Sequence, residues 1–146
     1  MAFVKIWVHV VWGTKNREPT LEKSMRPAFF QHIRDNAQKK DIYLDLINGY
    51  HDHVHCLISL NSKQCIADIT QLLKGEASHW ANKEQLFKHK LEWASEYYAV
   101  SVSESQVDIV REYIKTQEEH HSNWTFAQEC ESFMKKFGFA KLADNN

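Results

Sequence analysis

The sequence predicts an α+β fold in which helices pack against an antiparallel sheet. Four segments combine β-branched and aromatic residues with an alternating pattern, and the segments between and after them repeat apolar residues at helical spacing. The 146 residues include only 4 Gly and 2 Pro and contain no repeat or linker-like tract. We therefore expect one domain over residues 1–146.

The first half of the chain predicts a strand, a helix and a hairpin. Residues 3–12 form the first strand, which ends at Gly13, and apolar residues at helical spacing then predict a helix over 22–40. The segments 42–49 and 53–60 both have strand composition and are separated by only three residues. So short a connection is typical of an antiparallel hairpin.

The second half predicts a helix from about residue 66 to 80, a strand at 97–102, and helices near 106–121 and 125–136. The order β-α-β-β-α-β is that of the ferredoxin-like or RRM-like plan, with helices on one face of the sheet. Helices at the C-terminus, one of which bears Tyr113, are added to this plan. Such a sheet is expected to leave its other face free for ligands.

The charge is uneven, although the formal net charge is −1. Residues 1–40 contain eight Lys/Arg and three acidic residues, whereas residues 104–131 contain two Lys/Arg and seven acidic residues. This distribution is compatible with a basic surface that binds nucleic acid, and equally with two solvated faces of opposite sign.

Cysteine usage and hydropathy predict a cytoplasmic protein without a membrane partner. The three cysteines show no CxxC spacing, which is typical of reduced thiols. Lys5 and His9 interrupt the apolar run near the N-terminus, so this run does not resemble a signal peptide. No segment approaches the roughly 20 apolar residues of a membrane span.

The sequence "HVH" at 53–55 places two histidines on one face of a predicted strand, because strand side chains alternate. Val54 then points to the core, and His53 and His55 to the other face. Such a pair can hold a divalent cation, although two solvated histidines would give the same pattern. Asp52 is expected to point away from the pair if the strand has already begun at that residue, and His51 is not expected to be a third ligand.

A second polar group lies on the helix predicted near 106–121. At about 100° per residue, Tyr113, Gln117 and His120 share one narrow sector beside the apolar stripe. Tyr113 could supply a phenolic nucleophile and Gln117 a neutral oxygen ligand. A tyrosine and a glutamine at the surface would give the same spacing.

Several ordered motifs resemble those of a known family. They are "VVWGTKNREP" (10–19), "HVH" (53–55), "LLKGEAS" (72–78), "YYAVSVSES" (97–105) and "YIKTQEEHH" (113–121). Together they resemble the single-tyrosine HUH transposases of small bacterial insertion sequences, which include the TnpA type and the REP-associated tyrosine transposases. The resemblance covers nearly the whole chain in order.

This resemblance implies a role for each matching residue. His53, His55 and Gln117 would hold Mg²⁺ or Mn²⁺, and Tyr113 would attack single-stranded DNA to form a 5′-phosphotyrosine link. His120 and His121 also match the family, without an assigned step. The resemblance further implies a homodimer whose sheets join edge to edge, DNA hairpins as the recognised partner, and no nucleotide cofactor.

Five basic residues are candidates for contacts to DNA phosphates, which would position the strand without reading its sequence. They are Lys15, Arg17, Arg26, Arg34 and Lys74.

Two other functions compete with the transposase hypothesis. The first is a non-catalytic, domesticated protein that binds single-stranded DNA or RNA hairpins. The second is a metal-dependent hydrolase that uses His51, His53 and His55, against which the sequence shows no acidic cluster near the pair. Only the transposase would leave a covalent adduct with DNA.

Overall fold

The computed structural model describes residues 1–121 and 124–137 and contains a four-stranded antiparallel sheet with the strand order β2-β3-β1-β4. All four predicted strands are present. Their bounds are β1 Ile6–Thr14, β2 Tyr43–Gly49, β3 His53–Leu60 and β4 Trp93–Val102. β4 begins earlier than predicted because Trp93 pairs with Thr14 beyond an irregularity in the β1 register.

The predicted helices are also present, with one interruption. The helices are α1 Arg26–Lys39, α2 Ile66–Lys83, α3 Val107–Lys115, α4 Gln117–His121 and α5 Phe126–Phe137. The helix predicted near 106–121 is divided at Thr116, where φ is −101° and ψ is 28°. The Thr116 hydroxyl donates to the Glu112 carbonyl at 2.9 Å, a bond that competes with the helical ladder.

The main apolar core lies between one face of the sheet and helices α1 and α2. Alternate residues of the central strands point into it, including Val10 on β1 and Val54 and Cys56 on β3. From the helices, Phe29 and Leu73 are fully buried against them. The predicted division of β3 into a core face and a histidine face is therefore confirmed.

The α+β class and the antiparallel sheet are confirmed, but the second face of the sheet is not free. α3 packs on it through a cluster formed by Trp7, Leu57, Val107 and Ile114. α5 packs beside it, through Phe126 and Cys130 against Val11. These two helices bury the face on which the histidines lie.

Polar contacts hold α3 to the edge strand β2. The guanidinium of Arg111 donates to both carboxylate oxygens of Asp45, at 2.9 and 3.0 Å. The side-chain amide of Asn48 donates to the Ile114 and Lys115 carbonyls at 2.8 and 3.2 Å, which satisfies orphan carbonyls at the end of the helix. α3 therefore has a defined position on the sheet.

The thiols of Cys56, Cys65 and Cys130 are free, with Cys56 and Cys130 buried and Cys65 exposed. Over the described ranges, no helix has the length and apolar character needed to cross a membrane.

Candidate active site

Two histidines of β3 lie on the sheet face that α3 and α5 cover. Both imidazoles are fully buried, and Val54 between them points to the opposite core. The neighbouring strand β1 brings His9 beside them, because β1 and β3 pair in register with His9 opposite Leu57. The rings of His9 and His55 stack with their centroids 5.1 Å apart.

Two oxygen-bearing side chains, one from α4 and one from α5, contact the histidine pair. Gln117, the first residue of α4, places Oε1 3.1 Å from Nε2 of His53. Glu129 of α5 places its Oε1 3.3 Å from Nε2 of His53 and 3.0 Å from Nε2 of His55. All four side chains have 0% exposure, so bulk solvent does not reach the centre of the group.

The donor atoms have the spacing of a divalent metal site. One ligand atom from each of His53, His55 and Glu129 lies within 4.8 Å of the others. In an octahedral complex with bonds of about 2.1 Å, neighbouring ligand atoms are about 3.0 Å apart. The separations of 3.0 to 3.3 Å match this value. The buried His-His-Glu cluster could therefore hold a divalent cation.

Each histidine also has a partner on its other ring nitrogen. Oδ1 of Asp52 lies 2.7 Å from Nδ1 of His53, and Nε2 of His9 lies 2.9 Å from Nδ1 of His55. Such contacts fix the ring and direct Nε2 toward a metal. The condition for Asp52 to point away is not met, because β3 begins at His53 and Asp52 lies outside its alternation, and Asp52 points toward His53.

The protonation of the group follows from burial and from these contacts. Burial lowers the pKa of His53, but hydrogen bonds to Asp52 and Glu129 outweigh it and raise the pKa above its usual value. Burial lowers the pKa of His55 to about 4. Burial raises the pKa of Glu129, yet hydrogen bonds to His121, His53 and His55 bring it below its usual range. Contact with two carboxylates thus favours the protonated form of His53, and a metal would replace its Nε2 proton.

Tyr113 lies near the end of α3 with its hydroxyl directed into the same group. The hydroxyl donates to Oε2 of Glu129, and the phenol ring meets His55 edge to face at 5.7 Å. Burial, and then the charge of Glu129, raise the pKa of Tyr113 well above its usual value. The structure thus gathers Tyr113, His53, His55 and Gln117 within one chain.

The two histidines at the end of α4 occupy different places. His121 lies inside the group, with Nε2 3.5 Å from Oε1 of Glu129 and its ring 4.5 Å from that of His53. His120 packs on the ring of Tyr113 at 4.7 Å and contacts the Thr116 hydroxyl.

His51 lies apart from the buried cluster. Its side chain is 46% exposed, and its Nδ1 is 4.0 Å from Oδ1 of Asp52. The structure therefore gives no support to a ligand set made of three histidines from the β2–β3 turn and β3.

The five basic candidates are not gathered in one place. Lys15 and Arg17, in the loop after β1, line a cavity of about 680 Å³ with Phe126 of α5, next to the site. Arg34 and Lys74 belong to α1 and α2 on the opposite face of the sheet. Their nitrogen atoms contact the carbonyls of Ile47 and Ala94.

Arg26 is buried, and its guanidinium contacts other residues of the protein. Its guanidinium contacts the Leu21 carbonyl and the Glu118 carboxylate, and it lies over the ring of Tyr50. This position does not favour the predicted contact with DNA.

Sequence reasoning missed three residues of the site, of which Glu129 is the most consequential. It contradicts the expectation that no carboxylate lies near the pair. The sequence feature that could have indicated Glu129 was its position in α5, on the same buried stripe as Phe126, Cys130 and Phe133. His9 left a similar signal, as a polar residue inside an apolar strand. Asp52 had none beyond its position next to His53.

The profile of the family described as "Transposase IS200 like" matches residues 2–117, which include Tyr113, the histidine pair and Gln117. This chain belongs to that family. The resemblance found in the ordered motifs is therefore confirmed, and the protein is a transposase that acts on DNA.

Relatives of the transposase agree with this assignment. It is 28% identical over 115 residues to the ISDra2 transposase TnpA of Deinococcus radiodurans, a match that covers 75% of this chain and 81% of that protein. A crystal structure described as a transposase of D. radiodurans R1 shares 25% identity and a TM-score of 0.62, covering 80% of this chain and 93% of that one.

The fold is also that of a REP-associated tyrosine transposase solved in complex with a REP hairpin. That structure has a TM-score of 0.62 at 12% identity, and the alignment covers 83% of the transposase and 71% of that chain.

Proposed function

We propose that this transposase cleaves and rejoins single-stranded DNA at hairpin-bearing element ends, with Tyr113 as the nucleophile. The observation that carries the proposal is the Glu129 carboxylate, which contacts the Tyr113 hydroxyl through one oxygen and His53 and His55 through the other. A single carboxylate group therefore spans the distance between the phenol and the candidate metal ligands. A phosphodiester is an anion of similar size.

In the cleavage step, the phenolic oxygen of Tyr113 forms a bond to phosphorus while the bond from phosphorus to the 3′ oxygen breaks. The phenolic proton passes to water, and the departing oxygen takes a proton from water to become a free 3′-hydroxyl. The 5′-phosphotyrosine keeps the energy of the broken bond, so a 3′-hydroxyl can attack it and rejoin DNA without a nucleotide cofactor.

The residues that would hold Mg²⁺ or Mn²⁺ are His53, His55 and Gln117. The bound cation would supply a Lewis acid that neutralises charge on the phosphodiester. Asp52 and His9 orient the two imidazoles, and we assign them as positioning residues.

DNA contact is assigned to Lys15 and Arg17, since they border the cavity beside Phe126. Hairpin recognition is inferred from the REP hairpin held by the REP-associated relative. A homodimer joined edge to edge also stays a prediction; β2 and β4 are the edges of the sheet.

The proposal is tested with hairpin-bearing single-stranded DNA and Mn²⁺, followed by a denaturing gel. Tyr113→Phe should bind the hairpin and form no covalent adduct, because only the nucleophilic oxygen is removed. Tyr43→Phe is the matched control, since Tyr43 is exposed and should retain full adduct formation. An adduct of undiminished yield with Tyr113→Phe would refute the assignment.

Changes in the ligands separate the competing functions. We expect His53→Ala and His55→Ala each to reduce cleavage by about 1000-fold or more, because several kcal/mol of charge stabilisation is lost. A non-catalytic hairpin binder would bind DNA without cleaving it in any variant. A hydrolase, for which Glu129 supplies the missing carboxylate, would cleave DNA without an adduct.

A further inference from the structure

The helix α5 packs directly against the proposed catalytic group. The ring of Phe126 stacks on that of His53, with centroids 4.2 Å apart and planes 1° from parallel. Gly13 permits this approach, because a Cβ at that position would lie 2.5 Å from the Phe126 ring. α5 is therefore seated directly on the strand that flanks the histidines.

The Glu129 carboxylate also occupies a chemically specific position. Its Oε1 meets Nε2 of both His53 and His55, while its Oε2 receives the hydrogen bond from Tyr113. A scissile phosphate has to present one oxygen to the metal that these histidines would hold and its phosphorus to the tyrosine. The carboxylate thus occupies the space between the phenol and the imidazoles that the substrate's phosphate would need, and it does so at 0% exposure.

The cavity beside the site does not bypass this obstruction. A space of about 530 Å³ between α3, β4 and α5 reaches Tyr113 and Glu129. His53, His55 and Gln117 are not among the residues that line it. A phosphate entering there would reach the phenol and find Glu129 between itself and the candidate metal ligands.

α5 also lies beyond the family match, which covers residues 2–117. The segment that fills the site is therefore not part of the matched region.

Given the proposed function, we propose that α5 is a displaceable plug. The Glu129 carboxylate holds the place of the scissile phosphate, and the phosphate of single-stranded DNA reaches Tyr113 and the metal ligands together only when α5 leaves the sheet. α5 thereby competes with DNA for the same site, and the apparent affinity for DNA is reduced by the fraction of molecules that are closed.

The three cysteines provide a direct test, because they report on different places. Cys130 lies on the buried face of α5, Cys56 lies in the α1/α2 core, and Cys65 is exposed. Each is followed by mass spectrometry during labelling with N-ethylmaleimide. We expect hairpin DNA, bound to Tyr113→Phe so that no cleavage follows, to speed labelling of Cys130 about tenfold or more while Cys56 and Cys65 keep their rates.

Gly13→Ala tests the plug without DNA and without changing a site residue. The new methyl group would push against Phe126 and loosen α5, so Cys130 should label faster. Gly75→Ala is the matched control, because a Cβ there has no atom within 4 Å. Equal labelling of Cys130 in the two variants would show that α5 is not held at this contact and would overturn the proposal.

Glu129→Gln separates a plug from a required ligand. The amide keeps the shape of the carboxylate but carries no charge, so it should compete less well, and the rate of DNA cleavage should rise about tenfold. A fall in cleavage would mean that Glu129 serves the reaction. If wild-type protein cleaves DNA while Cys130 stays protected from labelling, the plug is refuted. If wild-type protein forms no adduct at all, the proposed function fails. In that case the labelling of Gly13→Ala still shows whether α5 is held at its contact with Gly13.

Discussion

The two faces of the sheet are buried by different chemistry. The face toward α1 and α2 is apolar, with Val10, Val54 and Cys56 against residues such as Phe29. The face toward α3 and α5 has apolar clusters around Leu57 and Val11, but it also buries histidines, Gln117 and Glu129, whose polar atoms contact one another. A single strand, β3, serves both faces through its alternation. Fold stability and proposed catalysis are thereby assigned to alternate residues, and mutations can separate them.

The largest effect on stability is expected on the apolar face. Phe29→Ala should lower the free energy of unfolding by about 3–5 kcal/mol, because Phe29 is fully buried and its removal leaves a cavity. Urea denaturation measures this change. Phe3→Ala is the control, since Phe3 is 93% exposed and its loss should have little effect. Similar losses in both variants would mean that Phe29 is not part of a packed core.

On the histidine face, Asp52→Asn should change metal binding rather than the free energy of unfolding. The asparagine keeps the shape but loses the charge that orients His53, so Mn²⁺ affinity should fall about 10- to 100-fold. Titration of Mn²⁺ by electron paramagnetic resonance gives this affinity. Asp68→Asn, on the exposed side of α2, should bind Mn²⁺ as the wild type does. Unchanged affinity in Asp52→Asn would remove Asp52 from the positioning residues.

A smaller effect is expected from pH in the metal-free protein. Burial, and then the charge of His55, lower the pKa of His9 to about 3. Below about pH 6.5, His9 becomes protonated in the unfolded chain but stays neutral in the folded chain. The free energy of unfolding therefore falls as the pH falls toward 3. The slope from this residue is at most about 1.4 kcal/mol per pH unit.

The test compares urea midpoints of wild type and His9→Gln between pH 7 and 5. The variant should lose less stability over this range, because glutamine does not titrate. Parallel pH dependences would contradict a buried neutral His9.

Much of the fold could be predicted because its signals are local. Alternation in β3 indicated which side chains face the core, and helical spacing indicated both the helices and the shared sector of Tyr113 and Gln117. Periodicity shows that a helix has a buried face without showing what buries it. The seating of α5 on the histidine face therefore could not be deduced, even though its helix was predicted.

The misses within the site have similar physical causes. Asp52 lies just outside β3, where alternation no longer decides direction, and it turns to the His53 imidazole. Glu129 meets His55 only through tertiary packing between α5 and β3, and the spacing of the two residues along the chain carries no information about this contact. The break at Thr116 coincides with side-chain hydrogen bonds from its hydroxyl to the Glu112 and Tyr113 carbonyls, which the helical period does not reveal.

The central claim is that Tyr113 is the residue that becomes linked to DNA. Wild-type protein is incubated with hairpin-bearing single-stranded DNA and Mn²⁺, denatured and digested, and the peptide that contains Tyr113 is sequenced by mass spectrometry. We predict a 5′-phosphonucleotide on the oxygen of Tyr113, absent from Tyr113→Phe. Cleaved DNA without an adduct, or an adduct on any other residue, would contradict the account.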